Sequence, residues 1–238
     1  MSQPIDDFQG LLARYFRELI LATAYLELGS RLIVVSPANA SIALTLSPDI
    51  TTEPMYLHEL LPHSSAVAHG ASELFQSKAI AAWADLLNVL FEMFVSAHIE
   101  GKRQYPELKK RSTRLDFSSI DDINTQVRLG LVADFAFSKY ADRIHAISRI
   151  LNPESELQVQ LFVIKKHVAI RNANQHHGGR IYDDMLKDFG TDRIEVLDHV
   201  GNPKLLVAGQ SVELFVPELD RLKSALFCVT NPWKARLV

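Results

Sequence analysis

Cysteine is nearly missing from this chain: Cys228 is the one thiol in 238 residues. A disulfide framework needs a second thiol and a cysteine-rich zinc site needs several, so both are excluded. Set in the run Leu226-Phe227-Cys228-Val229, the thiol is expected to be a small buried hydrophobe in a reducing, cytoplasmic setting. Strong charge of one sign is missing too. A formal net charge of -3 and a pI near 6.3 create no global field for nucleic acid, so any such binding has to come from a local patch. Long clean apolar runs are also lacking. The stretch from Ala79 to Val95 is interrupted by Asp85, Asn88 and Glu92 and falls short of the ~18 residues of a membrane span, so no membrane association is expected. The opening residues Met1 to Asp7 are acidic where a secretory signal carries a positive flank, and secretion is not expected. Glycine-rich nucleotide loops, GxSxG elbows and HExxH pairs are absent, which leaves nucleotide-loop, hydrolase and helical zinc-protease readings without support.

What is present is an ordinary folding composition, 47% hydrophobic and 22% charged. Phe8, Leu11, Leu12, Tyr15, Leu19, Ala22 and Leu26 recur at three- and four-residue steps and predict an amphipathic helix from about Pro4 to Leu28, ended by Gly29-Ser30. Leu32 to Leu46, rich in Ile, Val and Thr, reads as a strand or hairpin broken by Pro37. Ser47 to Gly70 carries three prolines and reads as connecting structure, with a short helix at Met55 to Leu61. A long core helix follows, with Leu74, Ile80, Trp83, Leu86, Leu87, Leu90, Phe91, Phe94, Val95 and His98 on one broad face. Gly101 to Arg114 reads as an exposed basic linker. Asp121-Asp122 then open a third helix running to Ile150, stopped by Asn152-Pro153.

A fourth helix is expected from Glu154 through Ile170 to His177-Gly178-Gly179. Two short strands around Gly201-Asn202-Pro203 come next, and a last helix capped by Ser211 closes the chain. The sum is a mostly α, single-domain helical bundle over 1–238 with small β-hairpin insertions, its insertions falling at about 29–70 and 101–120.

The feature that suggests chemistry is Arg171-Asn172-Ala173-Asn174-Gln175-His176 at the end of an otherwise apolar helix. Histidine shuttles protons near neutral pH, arginine holds a phosphate through parallel hydrogen bonds, and asparagine can orient either. These are the groups that metal-independent RNA cleavage needs, with the ribose 2'-hydroxyl attacking its own phosphate. Asn172 and His176, four apart, share a helix face. Arg171 and His176, five apart, diverge by ~140°, so a shared site needs a second subunit or a long reach. The structural alternative is that these side chains cap carbonyls and favour the negative end of the helix dipole.

The stretch resembles the arginine, polar residue, three others, histidine motif of the HEPN superfamily. The following His177-Gly178-Gly179 and Ile181-Tyr182-Asp183 are similar to the downstream turn of many members, and Ala81 to Leu87 to an earlier bundle helix of some. The resemblance covers about Glu154 to Phe189. It implies an all-helical bundle that dimerises around two such motifs, and a metal-independent endoribonuclease of a toxin–antitoxin, phage-defence or RNA-processing system, with an antitoxin protein as a further partner. It also implies that Arg171 holds the phosphate, Asn172 is the polar neighbour, and His176 is the acid or base; His177 is the alternative histidine. Some members are non-catalytic, so a binding or dimeric assembly module is the other reading.

Two further features have bland and sharp readings. Lys102, Arg103, Lys109, Lys110 and Arg111, with Tyr105 among them, form either a solvated loop or a contact for an RNA backbone. His58, His63 and His69 are spaced by five and six, which fits no helical ligand pair, so no metal or other cofactor is expected. A small-molecule enzyme using Ser47 to Gly70 as a lid ranks last, for want of a second catalytic group.

Overall fold

The computed structural model describes residues 2–108, 112–118, 120–152 and 157–237. Within them the chain is mostly helical, with short antiparallel strand pairs attached. Helix α1 (Gln3–Val34) starts with Pro4, whose missing N–H is no loss in a first turn, and buries Ile5, Phe8, Leu12 and Leu19 on one face. It overruns the expected stop at Gly29-Ser30, so the start of Leu32 to Leu46 is helix and not strand. A lone glycine costs a helix only about 1 kcal/mol, too little to end one that continues with good apolar residues. Beyond Pro37, β1 (Ser41–Ile42) pairs with β4 (Met55–Tyr56), and between them β2 (Thr45–Ser47) pairs with β3 (Ile50–Thr51). The one-turn helix α2 (Leu57–Leu60) falls inside the expected short helix, and a 3-10 turn at Leu61–His63 carries the chain past Pro62.

Helix α3 (Ser64–Ile99) is the axis of the molecule and begins inside the stretch expected as connection. Its buried face is centred on Phe75, Ala79, Trp83, Leu87, Leu90 and Phe94, one position round from Leu74, which is therefore exposed. His98, also expected in the core, is exposed at its ring while Nδ1 accepts a hydrogen bond from the Tyr105 backbone N–H at 2.9 Å. Helix α8 (Val216–Arg236) and α1 pack on α3 through a stack of aromatic rings. Trp83 and Trp233 lie 5.4 Å apart at 23°, both fully buried, and Phe8 meets Trp83 at 5.8 Å. The segment Leu57–Ile99 has a window long and apolar enough to cross a membrane by length and composition, which its interrupting polar residues had hidden. With 56% of that window buried inside the fold, it matches a core helix.

The expected third helix is two. Asp122 caps α4 (Ile123–Phe137) as its position suggested, accepting from the Thr125 N–H at 3.0 Å. Ser138 and Lys139 then take extended backbone before α5 (Tyr140–Leu151). The break lets α5 dock on α3: the Tyr140 hydroxyl donates to the Ile80 carbonyl at 2.9 Å, and Arg143 donates to Ala84 O and Asn88 Oδ1, each at 2.8 Å. Phe135 and Phe91 stack at 3.9 Å across the α3–α4 contact. The residues after Arg111 cross α4 at Gly130, where a Cβ would stand 1.9 Å from Thr113 Oγ1.

Helix α6 (Gln158–His176) is described from Gln158; its expected start at Glu154 and the stop at Pro153 lie outside the described residues. After α7 (Asp183–Asp188), strands β5 (Ile194–Leu197) and β6 (Pro203–Leu206) form the expected hairpin. Asp198 holds its turn by accepting from the Val200 and Asn202 N–H groups, and Gly201 takes the positive φ of 89° that the turn requires. Helix α8 begins at Val216, not near Ser211, because Pro217 suits a first turn and Ser211 instead bridges to Arg180. On α8 the core face is carried by Leu222, Ala225, Leu226 and Val229, which turns Cys228 outward; the thiol is exposed, not buried.

Truncating a ring of this stack is expected to be a costly core change. Trp233→Ala should lower unfolding free energy by about 3–5 kcal/mol in urea titrations monitored by circular dichroism.

Candidate functional site

Helix α6 lies between α3 and α8, with Leu161, Ile164, Val168 and Ile170 buried. Its C-terminal turn carries the motif. The helix is closed by its own backbone: the N–H groups of His177 and Gly179 both donate to the Ala173 carbonyl, at 2.8 and 3.1 Å. Gly178 and Gly179 make this possible, with φ of 58° and 73° that side chains with a Cβ rarely adopt. The chain that follows is clamped to residues 209–212, through Ile181 N–H to Gln210 O, Val212 N–H to Gly179 O, and Arg180 Nη1 to Gly209 O. The turn is thus firmly placed without help from the motif's side chains.

Those side chains point in different directions. His176 is exposed and, among the described residues, makes no hydrogen bond or ion pair, so it does not cap the helix. His177 is exposed too but stacks on Tyr182 with ring centroids 4.0 Å apart. Asn172 is half-buried, four residues and nearly one turn before His176. Arg171 is half-buried on another face, near Tyr140, and its Nε is buried without a hydrogen-bond partner. Burial raises the Tyr140 pKa above its usual value, while Arg143 and Arg171 pull the other way. Arg143 itself packs over the Tyr140 and Phe135 rings. No carboxylate forms an ion pair with Arg171 or Arg143 among the described residues. One copy of the chain therefore does not bring Arg171 and His176 together; their five-residue separation leaves them ~140° apart around α6.

The basic segment is only partly the free patch expected from sequence. Lys102 is exposed and lies 2.6 Å from Glu100, and the exposed Arg103 packs over the Tyr105 ring at 5.0 Å. Tyr105 is buried against Phe94, so it is not a platform for a nucleic-acid base and the segment is not wholly an exposed linker. Lys109, Lys110 and Arg111 lie outside the described residues. Of the three histidines weighed for metal, His69 serves the fold: Nδ1 accepts from the Leu214 N–H at 3.0 Å, and Nε2 faces Glu73 at 3.4 Å.

Sequence reasoning missed the most unusual polar cluster, which is sealed in the core little more than one turn before the motif. Glu218 of α8, fully buried, lies 2.5 Å from Lys166 Nζ and 3.0 Å from His167 Nε2, and its Oε2 accepts the Leu197 N–H of β5 at 2.9 Å. Lys166 also donates to the Glu195 carbonyl at 2.7 Å. Gln76 of α3 sends its amide N–H groups to His167 Nδ1 at 3.0 Å and to the His167 carbonyl at 3.2 Å. A carbonyl only accepts, so the Gln76 nitrogen must face His167, Nδ1 must accept, and the ring proton sits on Nε2 toward Glu218. His167 is accordingly neutral, and burial lowers its pKa against the pull of Glu218. Burial works to raise the Glu218 pKa, but His167 and Lys166 outweigh it and hold the carboxyl at about 2. Closed to solvent, this cluster fixes α6 against α3, α8 and β5 and has no room for a substrate. The one faint signal in the sequence was three consecutive cationic-type residues, Lys165-Lys166-His167, inside an apolar helix pattern.

Compared with protein-family models, with curated proteins and with solved structures, the chain matches none.

Two outcomes follow from the buried cluster. Glu218→Gln leaves Lys166 buried without its counter-charge and should cost about 3–5 kcal/mol in chemical unfolding. Glu218 and His167 both have folded pKa values below their unfolded ones, so each adds stability that is complete above the unfolded value and is lost as pH falls. Unfolding free energy of the native chain should fall first below about pH 6.5, as unfolded histidine takes up a proton, then more steeply below about pH 4.5 as Glu218 contributes. His167→Gln should remove the first phase and keep the second.

Proposed function

We propose that two copies of this chain form a HEPN-like, metal-independent endoribonuclease in which His176 moves protons and Arg171 holds the phosphate. The observation that carries the reading is the closure of α6 by backbone alone, which leaves His176 exposed and, among the described residues, uncommitted, while Arg171 has no carboxylate partner among those residues. A histidine needed only for capping would face its own carbonyls, and an arginine needed only for structure would set its guanidinium on acceptors, as Arg143 does on Ala84 O and Asn88 Oδ1.

In the reaction, a ribose 2'-oxygen attacks the adjacent phosphorus and the 5'-oxygen leaves. The products are a 2',3'-cyclic phosphate and a 5'-hydroxyl end. His176 takes the 2'-hydroxyl proton or gives one to the departing 5'-oxygen, and the Arg171 guanidinium neutralises the non-bridging oxygens as charge builds. Since the two side chains diverge on one helix, each site draws Arg171 from one copy and His176 from the other, with Asn172 on the His176 face to orient the ring. Lys102 and Arg103 extend the contact along the RNA backbone, which makes binding weaken as salt rises. A cytoplasmic setting suits the lone exposed thiol of Cys228, and a protein that covers the exposed histidine is the form an antitoxin would take.

The non-catalytic reading, a binding or assembly module, is favoured by one observation: the Arg171 Nε is buried near Tyr140, on a residue ~140° around the helix from the exposed His176. The two are separated by incubating purified protein with a mixed RNA panel in EDTA, beside Arg171→Ala and His176→Ala variants of matched oligomeric state. Cleavage leaving 2',3'-cyclic phosphate ends, reduced 100-fold or more in both variants, is expected. Absence of cleavage by the folded native chain sinks the enzyme reading in favour of the module.

A further inference from the structure

The outward face of α1 changes character along its length. Up to Glu18 it carries Asp7, Arg14, Arg17 and Glu18; beyond that the face turns apolar. Leu21, Tyr25, Leu28, Leu32 and Val35 follow one another at steps of four, three, four and three residues. All five are exposed, from 49% at Leu21 to 79% at Val35. They lie opposite Leu19, Thr23 and Leu26, which face α3 and the groove beside it. A 3.5-residue apolar repeat on the free side of a helix is the pattern that a second helix covers by knobs-into-holes packing at about 20°.

We propose that this face pairs with the same face of a second copy of the chain, the two α1 helices running antiparallel. Self-pairing is favoured by charge. The flanking positions are mostly small and neutral, Ala22, Ala24 and Gly29, and the nearby Arg31 is already paired with Glu27 at 2.8 Å. The face therefore offers no charge to select a partner of opposite sign, and nothing that repels its own copy. It is favoured also by area: the five side chains leave roughly 500 Å² open on one copy, so two copies together reach the ~1,000 Å² at which specific association begins. The antiparallel direction follows from Arg14 and Arg17, which extend the same face toward the N-terminus. A parallel pair sets each of these arginines beside its copy, whereas an antiparallel pair carries them past the end of the other seam. The register that matches core layers then places Leu28 against Tyr25 of the other copy, and Leu32 against Leu21. The ribonuclease reading also calls for two copies, joined at the end of α6, so the α1 seam is told apart from that contact by which substitutions abolish association: those in α1 leave the end of α6 untouched.

The test uses two double variants of the full chain, Leu28→Glu with Leu32→Glu, and Leu21→Lys with Tyr25→Lys, in sedimentation velocity and light scattering at micromolar concentration. The native chain should show at least twice its 26.7 kDa chain mass. Each variant alone should show half the native mass with an unchanged circular dichroism spectrum, since the replaced residues are exposed. A one-to-one mixture should recover the dimer, because antiparallel packing sets the new carboxylates against the new ammonium groups and leaves the other half of the seam apolar. A monomeric native chain overturns the proposal, including one that floats with lipid vesicles as a monomer. So does a native mass that survives in either variant alone, which would put the association at the end of α6, and so does a mixture that stays at the mass of the separate variants, since antiparallel self-pairing requires the rescue.

Discussion

A single carboxylate with no access to water decides how the helices are arranged. Glu218 gathers a lysine and a histidine from α6 and a backbone N–H from β5. A buried negative charge is tolerated only with its partners in place, so the three elements that meet there, α8, α6 and β5, cannot shift independently. Gln76 extends the constraint to α3 by fixing the ring of His167 in one tautomer. Apolar packing of Trp83, Trp233 and Phe8 supplies more contact, yet such rings can slide or repack in a way that the carboxylate cannot.

The consequence reaches the end of α6. With Lys166 and His167 anchored, the helix continues for two and a half turns in a fixed direction and delivers Arg171 to the side of α5 and His176 to solvent. Helix α5 is itself held on α3 through Tyr140 and Arg143, so the surroundings of Arg171 are set by hydrogen bonds and not by loops. The clamp from 179 to 182 onto 209–212 finishes the turn. The end of α6 is thus held in place from both sides.

Much of this was legible in the residues, and the omissions have physical causes. The 3.6-residue pattern located α1, α3 and α6, Asp122 announced the start of α4, and Gly201-Asn202-Pro203 marked the hairpin turn. Periodicity finds a buried stripe but not its extent, which is why α1 ran past Gly29 and Leu74 fell just outside the core. The break at Ser138-Lys139 carries no proline or glycine; it exists because Tyr140 and Arg143 reach acceptors on α3, a tertiary cause invisible to local pattern. The Glu218 cluster was hidden for the same reason. Lysine, histidine and glutamate are ordinary surface residues until a partner 51 or 52 positions away shares their burial. Arg171 and His176 were legible as residue types, and the ~140° between them followed from helix geometry, but the exposure of one and the half-burial of the other did not.

The backbone closure of α6 divides labour within one turn of helix. Gly178 and Gly179 meet the structural demand, and the side chains at 174 to 177 are left with little part in holding the turn. Such a turn is a mount on which side-chain chemistry can be exchanged without disturbing the scaffold beneath it. Sequence drift should therefore be written unevenly here, slow at the two glycines and at the buried charges behind them, and rapid at the exposed positions unless a substrate or partner holds them. If His176 proves as constant as the glycines among this chain's relatives, that constancy will have a source outside the fold.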